Sequence, residues 1–200
     1  TARTQVAGKW AEMKGLWGWA TKLILLSSVG IAAISVLVLL SYQWNHPQGL
    51  IPALLAGFLL IPLIALGNAR GAALRGLRHI VSGQLPESVI RPTLLITFIA
   101  IAWTFNHTVS ASLAMLLHVL AAGIAFFIGG LLLWKYRPNE IEGVTPDVSG
   151  SGQWLYAALP LAMISALQVV SNQCGVIVLA FFRPEEEVGL YKVAASAATI

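Results

Sequence analysis

The sequence predicts an all-α chain: a polytopic transmembrane helix bundle with about five complete spans and the start of a sixth. Three observations carry this expectation. Of 200 residues, 58% are hydrophobic and only 10% are charged, whereas a soluble domain is roughly a quarter charged. The apolar residues fall in long runs, and a run of roughly 20 crosses ~30 Å of hydrocarbon as a helix. Lys and Arg gather on alternate connections between those runs, the bias that fixes orientation in a membrane.

Each element follows from its run. Ala20–Tyr42 is the first span, with Lys22 at its edge. Leu50–Asn68 is the second and carries Pro52 and Pro62. Val89–Phe105 is the third, with Arg91 and Pro92 in its first turn. Val109–Trp134 is the fourth and Trp154–Phe182 the fifth, and a sixth begins near Val188. Every span must be helical, because an open strand would leave backbone donors unpaired in lipid. The chain starts with Thr1 rather than Met and ends at Ile200 in an apolar run, which reads as a piece of a longer protein. Residues 1–19 carry Arg3, Lys9, Glu12 and Lys14 with no apolar core, so they do not read as a signal peptide.

Ten of the twelve basic residues lie in residues 1–22, 69–91 and 135–153. The connections 1–19, 69–88 and 135–153 are therefore expected in the cytoplasm, with 43–49, 106–108 and 183–187 outside. Trp44, Trp103, Trp134 and Trp154 sit near span ends, where indole rings favour the interface. Residues 69–85 place Leu74, Leu77, Ile80 and Val81 on one side, an amphipathic continuation of the second span along the membrane surface. Residues 138–152 hold two Pro, three Gly and two Ser and read as a flexible cytoplasmic linker. The expected organisation is therefore a first bundle of four spans over 1–137, the linker, and a second bundle beginning at 153.

Soluble chemistry is missing. Cys174 is the single cysteine, which excludes an internal disulfide and a multi-cysteine metal site. No Walker A loop, dinucleotide fingerprint or His–Glu zinc motif occurs. The net charge of +4 is small and scattered, so nucleic acid is not an expected partner, and no cofactor or enzymatic activity is expected. All eight acidic residues lie outside the apolar runs or at their margins, which leaves no intramembrane carboxylate for an ion relay.

The fifth span departs from bland apolarity. Ser165, Gln168, Ser171, Asn172, Gln173 and Cys174 lie near its middle, and Ser165, Gln168, Asn172 and Gly175 share one helical face. Lipid offers an amide no partner, at a cost on the order of 2–7 kcal/mol. That face therefore either lines a watery cavity or bonds to neighbouring helices. Pro160 removes one backbone bond near the start of the span. His118 lies mid-way along the fourth span, as a functional ionisable group or as a neutral imidazole bonded to a carbonyl. Lys192, in the first turn of the sixth span, either snorkels to the interface or attracts an anion in a cavity.

Three stretches resemble a known family. Ala73-Leu-Arg-Gly-Leu-Arg-His-Ile-Val-Ser-Gly-Gln-Leu-Pro-Glu-Ser-Val-Ile-Arg-Pro92 resembles the cytoplasmic connection before the fifth helix of bacterial polysaccharide (oligosaccharide) flippases, of the multidrug/oligosaccharidyl-lipid/polysaccharide exporter superfamily. Leu159 to Gln168, with Val188 to Ala194, is similar to that family's seventh helix and the turn into its eighth. Gly15-Leu-Trp-Gly-Trp-Ala20 is similar to the approach to its third helix. The resemblance implies helices three to eight of roughly a dozen or more, in the inner membrane of a bacterium, with a lipid-linked sugar of the undecaprenyl-diphosphate type as substrate. It implies translocation by alternating access for polysaccharide (lipopolysaccharide) biosynthesis. Ser165, Gln168 and Asn172 would bond sugar hydroxyls and Lys192 would meet the diphosphate, with His118 a further candidate. Many relatives carry an acid in the seventh helix where this chain has Gly175. The alternatives are a multidrug or cation exporter of the same superfamily, a membrane-embedded polysaccharide polymerase or glycosyltransferase, and a structural subunit. The outer connections are seven, three and five residues long, too short for a catalytic loop of the polymerase kind.

Overall fold

The computed structural model describes residues 4, 7–41, 50–106 and 108–198. Most of the described residues are helical, with no strand among them. The helices are α1 (Trp10–Ser41), α2 (Leu50–Gly76), α3 (Ile80–Leu85), α4 (Arg91–Asn106), α5 (Ala111–Tyr136), α6 (Ser151–Phe182) and α7 (Glu185–Ala198). A π-helical turn, Pro86–Ile90, joins α3 to α4, and a short 3₁₀ turn, Asn139–Ile141, follows α5. Five helices are long and apolar enough to cross a membrane: Trp10–Ser41, Ile51–Gly76, Ile80–Phe105, Ala111–Tyr136 and Ser151–Phe182. The chain is thus an all-α, multi-pass membrane protein by length and composition. Its large side chains point outwards in the way lipid permits and water does not, with Leu26 74% and Leu40 71% exposed. The expected outer connection 43–49, with Tyr42 and His107, lies outside the described residues.

The chain divides into two compact units, Thr1–Ser149 and Gly150–Ile200. In the first, α2 is the hub and packs on α1, α3 and α5, while α4 packs on α5. Apolar surface gains little by moving from lipid to protein, so close packing of small residues holds such helices together. Ala53, Ala56 and Leu60 of α2 are buried, as are Ala121, Ala125 and Gly129, four residues apart along α5. Gly71 and Gly83 bring α2 and α3 into backbone contact. A Cβ on Gly71 would stand 2.5 Å from the Gly83 carbonyl oxygen, and one on Gly83 would stand 2.7 Å from that of Gly71.

Three boundaries differ from the sequence reading. The first helix begins at Trp10, almost three turns before the apolar run, because Met13 and Gly15 are buried at its start. The second span runs on as helix to Gly76 and reverses at Arg78, which takes a left-handed φ of 69°. Residues 69–85 are therefore a helix end, a corner and a new helix rather than one surface helix. Leu74 and Leu77 turn inwards, while Ile80 and Val81 are exposed. The third span starts at Ile80 rather than Val89, because the helix continues through Pro86 by widening into the π turn.

The segment after α5 is docked rather than free. Met13, Leu77 and Ile141 form a buried cluster, with Trp10, Trp17 and Leu133 packed against it. Lys14 Nζ donates to the carbonyls of Ile141 (3.3 Å) and Val144 (2.8 Å). The Asp147 N–H donates to the Ala11 carbonyl at 3.0 Å. Any side chain on Gly15 would collide with the Asp147 carbonyl. Ser149 N–H donates to the Asp147 carboxylate at 2.9 Å and holds that carboxyl below the usual aspartate range. Within the linker expected over 138–152, residues 141–147 are therefore packed and hydrogen-bonded against α1. Its Pro and Gly residues shape a fitted strap, and composition alone does not separate a strap from a tether.

The second unit is two helices. Helix α6 continues through Pro160 and buries none of its residues. A Cβ on Gly175 would meet the Tyr191 hydroxyl of α7 at 2.6 Å, so the absence of a side chain there seats α7.

Candidate functional site

Hydroxyls within the helices are mostly satisfied by their own helix. Ser27, Ser35, Ser41, Thr97 and Thr104 each donate to a carbonyl three or four residues back, at 2.7–3.1 Å. This is the local solution that lipid imposes on a short polar side chain. Ser165 belongs to this group, because its Oγ donates to the Leu161 carbonyl at 2.9 Å. A self-satisfied hydroxyl needs no ligand, so the sequence-derived role of Ser165 loses its main argument.

Gln168 and Asn172 are different. Both are exposed, and neither has a hydrogen-bond partner among the described residues. A carboxamide carries two donors and an acceptor oxygen, too many for its own helix to absorb. The two lie four residues apart, one turn, on the face that also carries Gly175, where Tyr191 packs. Lys192 follows Tyr191 on α7 and is exposed. Ser165, Gln168, Asn172 and Lys192 thus belong to one unit. His118 belongs to the other, half-buried on α5.

The first unit holds a charged set that the sequence reading placed at span margins. Glu87 and Arg91 lie inside the helical span Ile80–Phe105. Arg91 Nη1 donates to Glu87 Oε2 at 2.7 Å across one turn. Glu87, expected at a span margin, lies within the same continuous helix as the third span rather than in a loop before it. Its carboxylate fits against α2 only because Gly67 has no side chain there. Pro86, at the head of the π turn, rests against Gly129 of α5. Arg70 reaches from α2 to α5, donating Nη1 to the Phe126 carbonyl at 2.9 Å and lying 3.6 Å from the centroid of the Phe126 ring. Phe126 is nine residues from Lys135, about 13 Å along the helix, so this guanidinium is well inside the bundle. The signals were present in the sequence: a Glu–Arg pair at i, i+4 beside Pro86, and Arg70 flanked by Ala69, Ala72 and Ala73. They were masked because charge and proline ended the apolar runs used to place the spans.

No group of three or more metal-ligating side chains occurs among the described residues. Compared with known proteins, the chain matches no family model, no curated protein and no solved structure. What it does has to be argued from these side chains.

Proposed function

We propose that the chain is part of a bacterial inner-membrane transporter that moves a lipid-linked oligosaccharide, of the undecaprenyl-diphosphate type, for surface polysaccharide assembly. The observation that carries this reading is the unpartnered amide pair, Gln168 and Asn172, one turn apart in the middle of a membrane-crossing helix. Sugar hydroxyls both donate and accept, and a carboxamide does the same, so two amides on one face suit a glycan better than an ion. The exposed ammonium of Lys192 suits the diphosphate through charge-assisted bonds. The resemblance of residues 73–92, 159–168 and 188–194 to oligosaccharide flippases supports the same substrate class. No bond is made or broken. Reorientation would proceed by rocking one bundle against another around the substrate, the motion that opens the site to alternate sides.

The test is Gln168→Leu combined with Asn172→Leu in the full-length protein, read by membrane abundance and by surface glycan. The expected result is normal abundance with reduced glycan. Normal glycan at normal abundance would refute the reading. Loss of glycan only in proportion to loss of protein would leave the amides as helix–helix contacts.

One observation favours a cation exporter as the second reading: Glu87 inside a span. Arg91 already neutralises it at 2.7 Å, so a cation would have to displace an arginine. That competition ranks the exporter second.

A further inference from the structure

The basic end of the first bundle holds two adjoining cavities of opposite character. One, of about 580 Å³, is lined by Lys14, Lys22, Arg70 and Arg137 between Trp17 and Trp134. No acidic side chain lines it. The other, of about 270 Å³, is walled by Leu16, Ala20, Ile24, Ala69 and Ala73. They share Trp17, Thr21, Arg70 and Leu133, so a single ligand can occupy both. We infer that this double cavity binds an anionic phospholipid, with the headgroup phosphate among the basic side chains and the start of an acyl chain in the apolar slot.

The charges have capacity to spare. Lys22 is exposed and has no partner among the described residues. Lys14 spends two of its three donors on the carbonyls of Ile141 and Val144. Arg70 spends one of its five N–H groups on Phe126. Of these four, Arg137 alone has an acidic partner among the described residues, Glu142. Clustering of Lys and Arg at one end of a bundle is expected from the orientation rule alone. That rule does not require four cations to converge on one concavity, nor an apolar slot to open beside it. Basic pockets between spans on the cytoplasmic side are the kind that take anionic headgroups. The tryptophans suit the same depth, with apolar rings and one N–H donor each. A free phosphate would use the basic cavity and leave the apolar one unused, which is why the lipid is preferred. The site stands on the first unit alone and does not depend on the transport reading.

Gly18 lines the basic cavity, and a Cβ built on it meets nothing within 4 Å. A larger side chain there enters the cavity between Lys14 and Lys22, one turn to either side on the same face, and removes no charge. The full-length protein in detergent is therefore titrated with phosphatidylglycerol, phosphatidylcholine or inorganic phosphate, and bound lipid is counted by native mass spectrometry. Phosphatidylglycerol should bind at least tenfold more tightly than phosphatidylcholine. Lys22→Gln should weaken it about fivefold, as expected for one charge near a membrane surface. Gly18→Leu should abolish binding while the net charge is unchanged. A monodisperse elution profile checks that each variant is folded, and both positions are exposed. Equal affinity for the two lipids, or full phosphatidylglycerol binding to both variants, overturns the proposal. Displacement of the lipid by millimolar inorganic phosphate also overturns it, because the site would then be one for the free anion.

Discussion

Breaking the Glu87–Arg91 pair one partner at a time tests whether those charges are truly held inside the bundle. The side chains are 17% and 25% exposed. Two unit charges ~4 Å apart attract by about 4 kcal/mol at an effective dielectric near 20. Desolvation offsets much of this, so the intact pair contributes little on balance. Removing one partner is costly, because the other charge then stays at membrane depth, at about 3 kcal/mol. Arg91→Gln should therefore destabilise the full-length protein by about 3 kcal/mol. Glu87→Gln should cost less, about 2 kcal/mol, because the long arginine can snorkel towards the interface. The double variant removes both charges and should return to within about 1 kcal/mol of the wild type.

Unfolding in mixed micelles, titrated with sodium dodecyl sulfate, measures all three. The expected coupling is about 4 kcal/mol or more. If the two single effects instead add to the double within about 0.5 kcal/mol, each side chain reaches water independently, and the pair is not buried. The same variants address the second functional reading. An exporter using Glu87 for cations should gain cation-dependent stability when Arg91→Gln removes the competing guanidinium. A purely structural pair should show none.

Three further outcomes follow from the fold. Gly71→Ala should destabilise by about 1–3 kcal/mol in the same titration, because its Cβ meets the Gly83 carbonyl at 2.5 Å and backbone cannot move aside. Residues 138–149 should resist limited proteolysis in the wild type and be cut in Gly15→Val, since the added side chain displaces the Asp147 carbonyl from α1. That resistance should not change between pH 7 and pH 5. The folded Asp147 carboxyl lies below its usual range, so its contribution is complete above the unfolded pKa, about 3.9, and is lost only as pH falls through the lower folded value. Cysteines placed at Gln48 and Ser82, in a Cys174→Ser background, should be labelled from opposite sides of the membrane; labelling from one side refutes the charge-based topology.

The membrane class was legible because it depends on composition, and each long helix contains an apolar run long enough to announce it. Boundaries were less legible, for a specific reason. Apolar runs mark where lipid is, whereas a helix continues as long as something packs against it. Trp10–Trp19 stay helical because Met13 finds Leu77 and Ile141, which are 64 and 128 residues away in sequence. Pro86 and Glu87 look like the end of a surface loop, yet Gly67 and Gly129 make room for them inside the bundle. That room belongs to other helices, and no local window of sequence contains it. The amide face of α6 was legible because helical period alone places Gln168 and Asn172 together. The self-satisfaction of Ser165 was not, since a hydroxyl on that face could equally have turned outwards.

The two units differ in how the larger polar groups at span depth are matched, and on the proposed reading this contrast favours α6 as the place of the substrate site. In the first unit, charge inside the bundle is matched. Glu87 has Arg91, and Arg70 has the Phe126 carbonyl and ring. Each match coincides with a glycine on a facing helix, at Gly67 or Gly130, that gives the side chain room. In α6 no such accommodation surrounds Gln168 or Asn172, and every described side chain for two turns on either side of them is exposed or nearly so. An amide left open at mid-span costs on the order of 2–7 kcal/mol if nothing meets it. A chain that satisfies Ser27, Ser35, Thr97 and Thr104 within their own helices would not carry two such amides without a counterpart. That counterpart is either another helix or a ligand rich in hydroxyls, and the paired readout of abundance and glycan separates the two.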